Sequence, residues 1–189
     1  MKKLLTLIML FVSISFTSAQ DFSKTNPTRE ELKAAKKQEE EARLQKQLES
    51  VYQILSDSSF ALEADFLQIG TARVSVSSNL NFVMVDSRTA FVQYAGGSTV
   101  GNNGLGGRTE KGKVLSYKVS KNNKKKNCSL NMTVETDERR YNFGLIVNAN
   151  GKGLGTIVSL NIAFDGKIVP LKESKIIIGQ SSNMFKQLR

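Results

Sequence analysis

The sequence predicts a mostly β fold: an antiparallel meander of eight or nine strands that forms a sandwich or an open barrel, preceded by one α-helix. Three observations support this prediction. Apolar and polar residues alternate in most segments between residues 60 and 164, which is the pattern of half-buried strands. Turn-forming residues separate these segments at short intervals. A helical period occurs only before residue 58, so no crossover helix is predicted that would connect parallel strands.

The first nineteen residues have the pattern of a signal peptide. A basic pair at positions 2–3 precedes an apolar run over 4–16, and small residues at 17–19 precede a cleavage site between Ala19 and Gln20. The apolar run is shorter than the roughly 20 residues of a membrane span, although a retained N-terminal anchor is the alternative. We therefore expect a chain secreted to the periplasm or the cell exterior, soluble after cleavage and without a transmembrane segment.

Residues 20–58 are predicted to form a charged N-terminal helix. Asn26 or Thr25 is suited to the N-cap, and Thr28 with Glu31 also fits a capping box. The first half is charged on almost every face, whereas the second half carries one apolar stripe, formed by Leu44, Leu48, Val51, Tyr52 and Leu55. We expect the second half to dock on the β domain. A coiled-coil partner for the helix is the alternative.

The β domain is predicted over residues 59–172, followed by a loose C-terminal tail over 173–189. A short connection at 86–88 predicts a hairpin, and the Asp165-Gly166 pair predicts a turn. Four alternating sets are expected to face the core: Phe60, Leu62, Ala64 and Phe66; Leu115, Tyr117 and Val119; Cys128, Leu130, Met132 and Val134; Tyr141, Phe143, Leu145 and Val147. A fifth set, Val158, Leu160, Ile162 and Phe164, predicts a further strand.

Composition excludes several chemistries. The chain has no histidine, so Ser-His-Asp and Cys-His nucleophilic sites and imidazole metal sites are impossible. Its one cysteine, Cys128, cannot form an intramolecular disulfide, and its apolar face predicts a buried, unreactive thiol. We expect no catalytic residue, no metal and no cofactor. Glu63 and Asp65 could serve a carboxylate-based hydrolase, but outward acids on a strand are usually only solvated.

A glycine-rich loop over residues 96–112 holds seven of the fourteen glycines. Gly107-Arg108-Thr109 imitates the end of a phosphate-binding loop, but Asn102 replaces the first glycine and a strand pattern follows where a helix is required. We therefore interpret the loop's glycines as structural, and single out Gly104, Gly106, Gly107 and Gly112.

Several of these stretches resemble one family. Asn81-Phe82, the run from Asn103 to Gly107 followed by Gly112, and residues 146–170 are similar to the domain of unknown function 4251 family, with a resemblance that extends over roughly residues 48–172. The family occurs in exported proteins of Bacteroidota-type bacteria. The resemblance implies an export signal and a mostly β domain, and it implies no activity and no catalytic residues. Members often carry a lipid-attachment cysteine after the signal, where this chain has Gln20.

Positive charge is concentrated in the β domain and beyond. Residues 59–189 carry eighteen Lys and Arg against nine Asp and Glu, a net charge of +9. The candidate interaction surface consists of Arg108, Lys111, Lys113, Lys121, Lys124, Lys125 and Lys126. Such a surface suits an anionic lipid, a glycan or an envelope protein, whereas nucleic acid is not expected behind an export signal. A solvated hairpin tip is the alternative.

These observations together predict an exported, non-enzymatic domain of the cell envelope that binds a ligand or scaffolds a partner. A carrier that holds an apolar or lipid-like ligand inside a curled sheet is the alternative, and a carboxylate-based hydrolase is a more distant one.

Overall fold

The computed structural model describes residues 28–95 and 103–180 of the 189-residue chain. The predicted signal peptide therefore lies outside the described residues, as do residues 96–102 of the glycine loop and residues 181–189 of the tail. One helix and nine strands are formed: α1 Arg29–Ser56, β1 Ser59–Ile69, β2 Ala72–Ser75, β3 Phe82–Asp86, β4 Thr89–Ala95, β5 Gly107–Asn122, β6 Asn127–Thr136, β7 Arg140–Asn148, β8 Lys152–Ile157 and β9 Ile162–Pro170. Two 3-10 turns follow β8 and β9, at Val158–Leu160 and Leu171–Glu173.

All strand pairs are antiparallel, and the sheet closes on itself. From β3 to β9 each strand pairs with the next one in the chain, while β1 pairs with β3 along one edge and with β9 along the other. Eight strands therefore form a closed barrel, and β2 extends the far half of β1 as a short hairpin. The predicted mostly β class with one helix is correct. The prediction of a sandwich or an open barrel is corrected to a closed barrel.

Closure depends on a close approach between β1 and β9. Gly166 lies in the middle of β9, where a Cβ atom would stand 1.9 Å from the carbonyl oxygen of Glu63. Only glycine allows the two strands to pair at this point. The predicted turn at Asp165-Gly166 is therefore wrong: this glycine permits close packing within a strand instead of reversing the chain.

The barrel interior is a packed apolar core. Its largest fully buried side chains include residues of β1, β6, β7 and β9: Phe60, Leu62, Leu67, Leu130, Phe143, Leu145 and Phe164. The set predicted on β6 and the set predicted on β7 both face this core.

The C-terminal half of α1 covers one end of the barrel. Leu48, Val51 and Leu55 are buried in the core, and the helix contacts β5, β6 and β7 on one side of the barrel and β9 and β1 on the other. The Tyr117 hydroxyl donates to the Leu55 carbonyl at 2.5 Å. The first half of α1 is exposed and begins at a Thr28 capping box, which confirms the capping-box prediction.

Two bulges change the predicted inward faces. In β1 the pairing with β9 shifts between Ala64 and Phe66, so Leu67 enters the core and Phe66 lies outside under the guanidinium of Arg73, 3.8 Å from the ring centre. In β5 a shift between Val114 and Ser116 turns Leu115 outward, to 43% exposure. Both predictions failed because a bulge adds one residue and reverses the alternation beyond it.

The strand predicted over residues 158–164 begins later than expected. Val158–Leu160 forms a 3-10 turn and Val158 is 85% exposed, whereas β9 begins at Ile162. Asn161 lies between them in a left-handed conformation with φ of 53°, which asparagine tolerates better than most residues. The turn therefore separates β8 from β9 inside what reads as one alternating run.

Candidate functional site

A glutamate and two tyrosines lie inside the barrel, away from the end that α1 covers. Glu110 of β5 pairs with Val92 of β4, a core residue, and directly opposed residues share a face. Glu110 therefore points inward, and it is only 3% exposed. Tyr94 and Tyr141 belong to the same interior, since both pack with the core. Tyr117, where β5 contacts α1, lies roughly 20 Å farther along the strand at about 3.3 Å per residue.

Charged residues form a rim beside Glu110. The Arg108 Nε atom lies 2.8 Å from Glu110 Oε1, and an Arg139 nitrogen lies 3.8 Å from the same oxygen. Glu138 pairs with both arginines. The side chains of Arg108, Glu138 and Arg139 are each about one-third exposed. We call these three residues with Tyr94, Glu110 and Tyr141 the polar cluster.

The polar cluster contains buried groups whose hydrogen bonds are not made. Among the described residues, Arg108 Nε, both carboxylate oxygens of Glu110 and the Tyr141 hydroxyl have no hydrogen-bond partner. The contact between Arg108 and Glu110 is close enough for an ion pair, but its N–H does not point along the contact. Buried polar groups are nearly always hydrogen-bonded in folded proteins. Arg108 Nε and Glu110 Oε1 compensate each other's charge at 2.8 Å, so Glu110 Oε2 and the Tyr141 hydroxyl are the two atoms that require an explanation.

The two tyrosines of the polar cluster remain protonated at neutral pH. Burial raises the pKa of Tyr141, and the negative charge of Glu110 raises it further. Burial also raises the pKa of Tyr94, with Arg108 opposing the shift. Both hydroxyl groups are therefore available as hydrogen-bond donors. A neutral hydroxyl can also accept a hydrogen bond, so each tyrosine can bind either a donor or an acceptor.

The described glycines of the loop shape the backbone in two ways. Gly104 and Gly106 have φ of 74° and 76°, a conformation that other residues adopt at a cost. Gly107 and Gly112 lie within β5 and have no room for a side chain. A Cβ atom at Gly107 would stand 2.0 Å from the Tyr94 carbonyl oxygen, and one at Gly112 would stand 2.6 Å from a methyl group of Val134. Arg108, which the phosphate-loop pattern placed at a ligand, instead meets Glu110 and Glu138.

The predicted basic surface is spread over several places. Arg108 belongs to the polar cluster, and Lys111 lies over the Phe91 ring at 5.6 Å. Lys121 binds Glu49 at 2.6 Å and Lys126 donates to Gln45 at 3.1 Å, so both hold α1 on the β5–β6 hairpin. Lys113, Lys124 and Lys125 have exposed side chains. The structure thus divides the seven residues between internal contacts and solvent.

The carboxylates and the thiol that the sequence singles out lie apart from the polar cluster. Glu63 accepts a hydrogen bond from the Ser174 hydroxyl at 2.6 Å, and Asp65 is exposed at the β1 bulge. Cys128 is fully buried against the Leu48 carbonyl, and burial raises the pKa of its thiol. Within residues 28–95 and 103–180, no three Cys, Asp or Glu side chains converge as metal ligands.

Sequence reasoning missed Glu110 because β5 was predicted to begin after the glycine loop. The strand begins at Gly107, and the alternation from Val114 back through Gly112 reaches Glu110 and Arg108. Extending the two-residue alternation of β5 four residues toward the N-terminus from Val114 would have placed this carboxylate on the inward face. The same reasoning missed a buried amide network on the outer face, where Gln93 and Asn103 are 0% and 2% exposed.

The fold and the polar cluster define a small closed β-barrel, capped at one end by a helix and carrying charged groups at the other. The family model for the domain of unknown function DUF4251 matches residues 40–168. The chain belongs to this family, as the sequence resemblance predicted. The family description assigns no activity.

One solved structure is similar over most of both chains. It is described as the crystal structure of a DUF4251 family protein from Bacteroides eggerthii DSM 20697. The two chains are 26% identical, with a TM-score of 0.55, and the match covers 75% of this chain and 93% of the other. No curated protein matches the chain. In the part of the chain that the structure describes, no helix is long and apolar enough to cross a membrane.

Proposed function

We propose that this chain is an exported, non-enzymatic binding domain of the cell envelope that holds a small polar ligand at the polar cluster. The observation that carries the proposal is that Glu110 Oε2 and the Tyr141 hydroxyl are buried without a hydrogen-bond partner among the described residues, beside the Arg108–Glu110 ion pair. An unmet buried group costs about 1–3 kcal/mol. A ligand that meets these groups would recover this free energy on binding.

The kinds of atom in the polar cluster favour a hydroxylated ligand. Glu110 offers two acceptors and Arg108 Nε offers one donor, while the Tyr141 hydroxyl can do either. Neighbouring hydroxyl groups of a sugar ring both donate and accept, so one diol can meet a carboxylate and a guanidinium together. The two arginines and two glutamates of the cluster are formally balanced in charge, which suits a neutral ligand better than an ionic one.

Two further observations bear on the proposal. Residues 1–19 run from basic to apolar to small side chains, an order that supports export. N-terminal sequencing of the mature chain tests this. We expect Gln20 as the first residue, and a chain that still begins at Met1 would contradict export. The packed interior of large side chains favours a polar ligand at the cluster over an apolar ligand inside the barrel, since an eight-stranded barrel has room either for its own side chains or for one small ligand.

The proposal can be tested by ligand-dependent thermal unfolding. Wild type and Glu110→Gln would be unfolded with a panel of monosaccharides, amino sugars, amino acids and fatty acids. At a hundred times its dissociation constant, a ligand stabilises the folded state by about 2.7 kcal/mol. We expect at least one sugar to stabilise wild type and to lose this effect in the variant, because glutamine replaces an acceptor oxygen by a donor.

Glu63→Gln is the matched control, because Glu63 is a carboxylate on the barrel that lies outside the polar cluster. It should keep the wild-type ligand response. Stabilisation by fatty acids alone would support the carrier alternative instead. Stabilisation by a sugar that survives Glu110→Gln would place the ligand elsewhere on the protein.

A further inference from the structure

Residues 174–180 form a strap across the outer face of the barrel. They follow the 3-10 turn after β9. The Ser174 hydroxyl donates to Glu63 at the first end of the strap, and four hydrogen bonds hold residues 177–180. The Ile177 amide donates to the Asn79 carbonyl at 2.8 Å, and Gln93 Nε2 donates to the Ile177 carbonyl at 2.8 Å. The Gly179 amide donates to Gln93 Oε1 at 2.8 Å, and the Gln180 amide donates to the Asn103 carbonyl at 3.0 Å. This part of the predicted loose tail is therefore fixed in place.

The Gln93 side chain forms the centre of the groove under the strap. It is fully buried, and each of its hydrogen-bonding positions is used. Besides the two strap contacts, Nε2 donates to the Leu80 carbonyl at 3.0 Å and Oε1 accepts from the Thr109 hydroxyl at 2.7 Å. A primary amide used in this way holds a peptide backbone as a neighbouring strand would, with one donor and one acceptor.

The groove contacts the main chain of the strap and makes little use of its side chains. The four hydrogen bonds of residues 177–180 all end on backbone atoms of the strap, and the Ser174 hydroxyl contributes a side-chain hydrogen bond at the other end. Ile177 and Ile178 remain 50% and 47% exposed. The position that is restricted is Gly179, where a Cβ atom would stand 2.7 Å from the Asn103 carbonyl oxygen and 3.0 Å from a Leu105 methyl. The groove therefore accepts an extended backbone of varied sequence with glycine at one position.

We propose that this groove, formed by Asn79, Gln93 and Asn103, is a peptide-binding site that the strap occupies within its own chain. Its partner in trans is an extended segment of another protein. In that segment glycine follows, two residues later, the residue whose carbonyl accepts from Gln93, as Gly179 follows Ile177 in the strap. Recognition of an extended segment through its main chain is an established mode of peptide binding. The geometry assigns this role independently of the polar cluster.

Two observations favour a strap that can leave the barrel. The barrel is already closed by the pairing of β9 with β1 up to Pro170, so the strap can leave without unpairing a strand. The family match ends at residue 168, so it includes the groove and stops before the strap. The site thus belongs to the domain, and its present occupant lies beyond the matched region.

A free peptide must compete with the tethered strap. A short tether gives an effective concentration in the millimolar range, so the wild-type groove is expected to resist peptide at micromolar concentration. Gly179→Val in the full chain removes this competition, because the added side chain collides with the Asn103 carbonyl. Ile178→Ala is the matched control, since that side chain is half exposed and its loss leaves the strap in place.

The test is fluorescence anisotropy with a labelled peptide of residues 172–180. We expect the peptide to bind the Gly179→Val protein, and to bind wild type and Ile178→Ala at least tenfold more weakly. The same peptide with valine in place of glycine should not bind. The proposal is overturned if the folded Gly179→Val protein binds neither peptide, or binds both equally.

Hydrogen exchange of the wild-type protein gives a second test that needs no variant. The Gly179 and Gln180 amides should exchange through local opening of the strap. The Ala95 amide, which donates to Asn81 Oδ1 at 2.7 Å in the neighbouring part of the barrel, should exchange far more slowly. If the two strap amides exchange only when the whole protein unfolds, the strap does not leave and the proposal falls.

Discussion

Replacing Tyr141 by phenylalanine should stabilise the ligand-free protein. The Tyr141 side chain is 2% exposed, and its hydroxyl has no hydrogen-bond partner among the described residues. The substitution removes the hydroxyl and keeps the ring that packs in the core. An unmet buried polar group costs about 1–3 kcal/mol, so we expect a gain of that order. For a domain of this size it corresponds to a rise in melting temperature of about 2–4 °C per kcal/mol.

Tyr117→Phe is the matched control, since it makes the same chemical change at the other end of the barrel. The Tyr117 hydroxyl donates to the Leu55 carbonyl at 2.5 Å, so its loss should destabilise the protein by about 0.5–1.5 kcal/mol. The two substitutions therefore have opposite expected signs in urea or thermal unfolding. If Tyr141→Phe destabilises the protein as much as Tyr117→Phe does, the Tyr141 hydroxyl is already satisfied and the argument from unmet groups fails.

Three further predictions follow from the packing and the pKa shifts. Gly107→Ala should destabilise the protein by about 3 kcal/mol or more, because the new Cβ atom overlaps the Tyr94 carbonyl. Gly106→Ala places its Cβ atom in open space and should cost about 1–2 kcal/mol, because φ is positive there. Equal losses of stability in urea unfolding would contradict this difference. Cys128 should resist thiol reagents until the protein unfolds, and rapid labelling of the native state would show that it is exposed. Burial raises the pKa of Tyr117 to about 12, above the unfolded value near 10. The contribution of Tyr117 to stability is therefore complete below about pH 10 and declines toward pH 12. If the free energy of unfolding falls as steeply across this range in Tyr117→Phe as in wild type, Tyr117 is not the cause of the decline.

The strand pattern was predictable where alternation is unbroken. Cys128, Leu130, Met132 and Val134 have no bulge among them, and period two alone places all four inside. Phe66 and Leu115 were placed on the wrong face because bulges near Asp65 and Leu115 arise from the pairing between strands. That pairing cannot be read from one strand's own sequence.

Barrel closure depends on a contact distant in sequence. Gly166 and Glu63 are about a hundred residues apart, and their close approach lets β9 pair with β1. From the sequence, an Asp-Gly pair is a strong turn signal. The tertiary contact overrides that local preference, which explains why the turn prediction failed and why the degree of closure remained open.

The polar cluster could be predicted only in part. Arg108 and Glu110 are visible two residues apart, but their inward direction depends on where β5 begins. Arg139 and Glu138 come from the connection between β6 and β7, and only the folded barrel brings them to Glu110. The groove under the strap joins Gln93 to Asn103 and Gly179, which no local pattern connects.

Native mass spectrometry of the protein from its exported fraction tests the central proposal, ligand binding at the polar cluster, most directly. Wild type, Glu110→Gln and Glu63→Gln would be purified and measured under the same conditions. We predict that wild type and Glu63→Gln carry an added mass that fits a hydroxylated small molecule, and that Glu110→Gln is bare. A bare wild-type protein, or the same added mass on all three proteins, would contradict the assignment of the polar cluster as the binding site.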